Sequence, residues 1–94
     1  MTHITQIDHR WEVSGDVLIG TVSEMLITSK VLPMTSDTVI DFAKVDDIDT
    51  STISLILEWK RRAQQENQQL KFVNLPANLI SLTQLYGVHE LINA

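Results

Sequence analysis

Val39-Ile40-Asp41-Phe42-Ala43-Lys44-Val45-Asp46-Asp47-Ile48-Asp49-Thr50-Ser51-Thr52-Ile53-Ser54-Leu55-Ile56-Leu57-Glu58-Trp59 divides into segments with different physics. Val39 to Phe42 is rich in β-formers and bounded by polar residues, which predicts a short buried strand. Lys44 to Asp49 is acidic, with only Val45 and Ile48 apolar, and reads as a short connection. From Thr50, hydroxyl residues lead into an apolar run that continues as a charged amphipathic segment to about Asn67. A helix wants such a start, because its first N–H groups lack partners and Asp, Ser or Thr oxygens accept from them. Asp49-Thr50-Ser51-Thr52 offers more candidates than capping needs. The surplus hydroxyls are expected to face another molecule.

Outward from that stretch, the chain is read in order. Ile4, Ile7, Trp11 and Val13 surround the polar break Asp8-His9-Arg10, predicting two short strands joined by a turn, the second ended by Ser14-Gly15. Asp16 to Lys30 carries Val17, Leu18, Ile19, Val22, Met25, Leu26 and Ile27 at mostly helical spacing, with Asp16 or Ser14 as a candidate cap. Pro33 stops it. After the central strand and helix, Leu70 to Leu75 reads as another buried strand, followed by a helix over Ala77 to Tyr86 that Gly87 terminates. Val88 to Ile92 is expected to be a final strand or an apolar tail. Strands alternating with helices predict a single α/β domain over residues 1–94, with parallel pairings across two crossovers and helices packed mainly on one face of a small mixed sheet.

Composition narrows the function. The 94 residues suit one core. A net charge of −5 argues against a phosphate-backbone binder or a polybasic membrane anchor. No cysteine is present, which removes disulfides and thiolate metal sites. The longest apolar run, Ile53 to Leu57 with Ser54 inside it, falls far short of a membrane span. The start, Met1-Thr2-His3-Ile4-Thr5, has no basic and apolar leader, so no signal peptide and a cytoplasmic location are expected. Asp46, Asp47 and Asp49 lack the glycine and distal glutamate of a calcium loop, and His3, His9 and His89 lack ligand spacing. No phosphate-cradling loop, nucleophile elbow or nicotinamide fingerprint occurs. No metal, cofactor or catalysis is expected.

On the central helix, Thr52, Ile56, Trp59 and Ala63 fall along one stripe that should pack on the sheet, with Ile53, Leu55 and Leu57 on its flanks. The first two turns are therefore apolar over a wider arc than sheet packing requires. Either the neighbouring helices cover the extra width, or a partner protein does.

Taken together, Val39-Ile40-Asp41-Phe42, the junction Ile48-Asp49-Thr50-Ser51-Thr52, the following helix, Leu70–Leu75 and Leu82–Leu91 resemble a STAS domain, the fold of bacterial anti-sigma-factor antagonists. The likeness is greatest to the small cytoplasmic subunits of Gram-negative phospholipid-transport ABC complexes. It rests on the short chain, Val13-Ser14-Gly15-Asp16, Ile48-Asp49-Thr50 and Leu82-Thr83-Gln84-Leu85-Tyr86-Gly87-Val88. The resemblance implies a non-catalytic subunit that binds and supports a transporter ATPase, within a complex of permease and substrate-binding subunits that maintains outer-membrane lipid asymmetry. It implies no nucleic-acid partner and no direct membrane insertion. Thr50 matches the position that is Ser or Thr in the family, phosphorylated in sigma-factor antagonists. Asp49 matches the acidic residue before it, and Met25 and Leu26 match a bulky apolar contact late in the first helix. The expected partner-binding set is Asp49, Thr50, Ser51, Thr52, Leu55, Met25 and Leu26, with Thr50 the candidate phosphorylation site. Where the family often has glycine, this chain has Thr52, a second hydroxyl expected to project at the interface. The alternative function is an anti-sigma-factor antagonist switched at Thr50.

Overall fold

In the computed structural model, which describes residues 2–93, two strands open the chain, β1 (His3–Ile7) and β2 (Arg10–Val17). They pair antiparallel around a tight turn in which Asp8 takes a left-handed φ of 55°. Helix α1 (Ile19–Ser29) leads to β3 (Asp37–Ile48), α2 (Thr50–Gln65) to β4 (Gln69–Val73), and α3 (Ala77–Leu85) and α4 (His89–Asn93) close the chain. The sheet order is β1-β2-β3-β4, with β2–β3 and β3–β4 parallel. The mixed sheet, the two parallel crossovers and the helical layer agree with the sequence expectation.

Alternation along the strands decides which face is covered. Trp11, Val13 and Val17 of β2, Ile40 and Phe42 of β3, and Leu70 and Phe72 of β4 are buried under the helices. Glu12, Val39 and Lys71, which point the other way, keep solvent contact. The α2 stripe of Thr52, Ile56, Trp59 and Ala63 is buried as expected. Trp59 meets Trp11 edge to face with ring centroids 5.7 Å apart, and Phe42 meets Phe72 likewise at 6.2 Å.

Four features differ from the sequence reading. β2 does not end at Ser14-Gly15: Gly15 takes a φ of 85°, which glycine tolerates, and the strand continues to Val17. Helix α1 consequently starts at Ile19, not Asp16, and neither Asp16 nor Ser14 caps it. Instead the Thr21 hydroxyl accepts the Leu18 N–H at 3.0 Å. The acidic connection Lys44–Asp49 is also strand as far as Ile48. Its acidic side chains suggest a connection, but they fit a strand with one open edge. β4 pairs only with Asp37–Asp41, so beyond Asp41 one edge of β3 has no strand beside it. Charges suit such an edge, where they oppose pairing with another chain. β3 also carries an extra residue against β2 between Asp41 and Lys44 and again between Val45 and Asp47. Asp41 serves the first irregularity by accepting the Ala43 N–H at 2.8 Å. Finally, Val88–Ile92 is neither strand nor tail; most of it lies in α4, and Ile92 is buried in the core.

The helix stops follow local chemistry. After α3, Gly87 (φ 71°) donates to Gln84 O at 3.2 Å and Val88 donates to Thr83 O at 2.9 Å, the paired bonds of a Schellman ending. Asn67 (φ 56°) plays the glycine's part after α2, with Asn67 donating to Gln64 O and Gln68 to Ala63 O. Arg62 of α2 then fastens the end of α1, donating to Ser29 O at 2.9 Å and Leu32 O at 2.7 Å.

Candidate functional site

The start of α2 is built by its own residues. Asp49 is the N-cap: its carboxylate accepts the Ser51 N–H at 2.9 Å and the Ser51 hydroxyl. Thr52 completes the reciprocal box, its hydroxyl accepting the Asp49 N–H at 3.2 Å. The same hydroxyl donates to Val17 O at 2.7 Å, tying the helix to the end of β2. Thr52 is fully buried. The expectation that it projects at an interface is therefore corrected: this hydroxyl is consumed inside the fold. Ser51 is half-buried and engaged with Asp49. Only Thr50 remains, exposed and with no hydrogen bond from its hydroxyl to another described residue.

Two more of the expected surface residues lie in the core. Leu55 is fully buried and Met25 nearly so, and both belong to the main apolar cluster. The wide apolar arc of α2 thus has its simpler explanation: neighbouring elements cover Leu55, as they cover Ile53. Leu26 is half-buried against the same cluster. Met25 lines a cleft of about 800 Å³ between β1 and α1 that also takes in Ile19 and Asp49.

Around Thr50 and Ser51 lies a shallow groove of about 590 Å³, walled by Ile19, Ile53, Ser54, Tyr86 and Val88. Ile19 is 80 % exposed and Tyr86 58 % exposed. On α1, Ile27 (66 % exposed) stands two helical turns beyond Ile19, at a spacing that keeps both near one face. These anchors escaped the sequence reading. Helical spacing alone groups Ile19 and Ile27 with neighbours that are buried, and the helix expected over Ala77 to Tyr86 gives Tyr86 no separate role. A signal existed: Ile19 and Ile27 are eight residues apart, one stripe off the core positions Val22 and Met25.

Electrostatics favour an ionised Asp49. Burial pushes its carboxyl up, but bonds from the Ser51 hydroxyl and the Ile19, Ser51 and Thr52 N–H groups outweigh that and hold it below the ordinary 3.8. The site therefore presents a fixed negative charge directly before the free Thr50 hydroxyl. Among the described residues no cluster of histidine or carboxylates is placed to hold a metal ion. No described helix is long and apolar enough to cross a membrane.

A family model described as "Mlab, STAS domain" matches residues 2–93. No curated protein sequence matches the chain. Among solved structures, the fold is similar to the unphosphorylated anti-sigma factor antagonist SpoIIAA, with a TM-score of 0.67 and 12 % identity. That match covers 90 % of this chain and 83 % of the other. A Shewanella loihica PV-4 protein of the DUF3478 family with a SpoIIAA-like fold matches at a TM-score of 0.44 and 11 % identity, over 93 % of this chain and 76 % of that one.

Proposed function

The chain belongs to the STAS-domain family described as Mlab, whose domains generally bind and regulate rather than catalyse, and from that membership we propose that it is the accessory subunit of a phospholipid-transporting ABC complex. In this reading it docks on the ATPase subunit, beside permease and substrate-binding subunits, on the cytoplasmic side of the inner membrane. It supports the ATPase without chemistry of its own. The observation that carries the docking site is the exposed Thr50 hydroxyl set in a groove rimmed by exposed Ile19 and Tyr86. An exposed polar group framed by apolar side chains suits an interface whose centre is desolvated. The docking set is accordingly Thr50, Ser51, Ile19, Ile27 and Tyr86, while Thr52, Leu55 and Met25 act by holding the surface in place.

The test is co-purification of the chain with the ATPase encoded beside it, followed by titration of variants. Thr50→Glu places a charge next to Asp49 in a surface that must lose water, so affinity should fall more than about tenfold, roughly 1.4 kcal/mol. Thr50→Ala should do less. Circular dichroism of both variants should match the unaltered chain, because Asp49 and Thr52 still form the helix start. A folded Thr50→Glu chain that binds like the unaltered one would remove Thr50 from the interface. The isolated chain should neither bind nor hydrolyse ATP by calorimetry and phosphate release.

A second reading, an antagonist of an anti-sigma factor switched at Thr50, draws on the accessibility of that hydroxyl at a helix start. It is weakened by the same geometry. The Ser51 N–H that would greet a phosphate already serves Asp49, whose charge repels one. A kinase and sigma factor encoded beside the chain, in place of an ATPase and permease, would favour it.

A further inference from the structure

Asp49 does more than begin α2. An N-cap needs one acceptor, and Asp49 Oδ1 supplies it by taking the Ser51 N–H and hydroxyl. Its other oxygen, Oδ2, accepts the N–H of Ile19 at 2.9 Å, the first residue of α1 and 30 positions away in sequence. That bond does nothing for α2. It serves α1, whose cap residue Leu18 has no side-chain acceptor to offer. The remaining ties at this corner run through β2, with Thr52 donating to Val17 O and Thr21 donating to Asp16 O at 3.0 Å. Asp49 alone among these side chains bonds both helix starts.

The consequence falls on the groove. Ile19 and Thr50 both line it, and the helix starts that carry them are joined through the Asp49 carboxylate. We propose that Asp49 is a positioning residue that latches the start of α1 to the start of α2, holding Ile19 at a fixed distance from Thr50. This deepens the docking role given above to the groove and rests on it. It also changes what Asp49 is: both its oxygens are occupied within the fold, so it shapes the surface instead of contacting the partner. Its ionised form suits the task, since only a carboxylate offers two acceptor oxygens with no donor.

Asp49→Asn separates latch from cap. Asparagine caps helices as well as aspartate does, so its carbonyl oxygen can keep the Ser51 N–H. Its amide group then faces the Ile19 N–H donor to donor. The full chain should retain its helical content by circular dichroism, with amide exchange at Ser51 and Thr52 unchanged. Exchange at Ile19 should quicken by about tenfold as the tie opens locally. Affinity for the ATPase subunit should fall by at least about threefold with Thr50 still present. Asp49→Ala should lose protection at both helix starts and bind no better than the Asn variant. Unchanged exchange at Ile19 in both variants would overturn the latch, and so would a loss of protection that leaves affinity intact. If the unaltered chain binds no ATPase, the docking role fails, while the tie is still judged by the Ile19 amide.

Discussion

Thr50 and Thr52 show how much a residue type conceals. Both are threonines at one helix start, and hydroxyl counting treats them alike. Thr52 is buried between Val17 O and the Asp49 N–H, whereas Thr50 faces solvent. Position within the first turn decides this, because the third residue of a helix points back over the cap and the first does not. Thr52→Val keeps the shape and removes the hydroxyl, leaving two backbone groups without their partner. It should lower stability by about 1–3 kcal/mol in urea unfolding, whereas Thr50→Val, touching no hydrogen bond, should stay within about 0.5 kcal/mol. Equal effects would mean that the two hydroxyls share one environment.

At the scale of elements, periodicity was a good guide wherever one face is buried and the other wet. The α2 stripe and the short β4 follow the expected pattern, and Gly87 ends α3 as its residue type implies. Reading failed where a strand has only one neighbour. Lys44, Asp46 and Asp47 lie where one edge of β3 is open, and no local pattern distinguishes such a half-paired strand from an acidic turn. It failed again over the flanks of α2, since the width of an apolar arc does not say whether α1, α3 or another protein covers it. Leu55 carries that lesson to experiment. Leu55→Ala should cost about 2–5 kcal/mol of stability as a core cavity, measured by chemical unfolding. The fraction that remains folded should bind the partner normally. Normal stability with lost binding would return Leu55 to the interface.

On the scale of the whole molecule, two carboxylates link stability to acidity. Burial pushes the Asp41 carboxyl up, but the Asn74 amide, the Ala43 N–H and the Arg10 guanidinium outweigh it and hold Asp41 below the ordinary 3.8, as Asp49 is held. The native state therefore binds fewer protons than the unfolded chain in that range. Their contribution is present in full above the unfolded values and is lost as pH falls through the depressed native ones. Thermal unfolding followed between pH 7 and about pH 3 should show the midpoint dropping mainly below about pH 4. Asp41→Asn should flatten that drop; a midpoint insensitive to acid would contradict the assignment.

The fold joins its distant segments at one corner, where β2 ends and α1 and α2 begin, and the account stands on that corner being the docking surface. Amide hydrogen exchange of the chain, alone and with the ATPase subunit, tests this most directly. Protection on binding should concentrate at the starts of α1 and α2 and at the end of α3 near Tyr86, leaving the open sheet face of Glu12, Val39 and Lys71 unchanged. Protection confined to that open face, with none around Ile19 and Thr50, would contradict it.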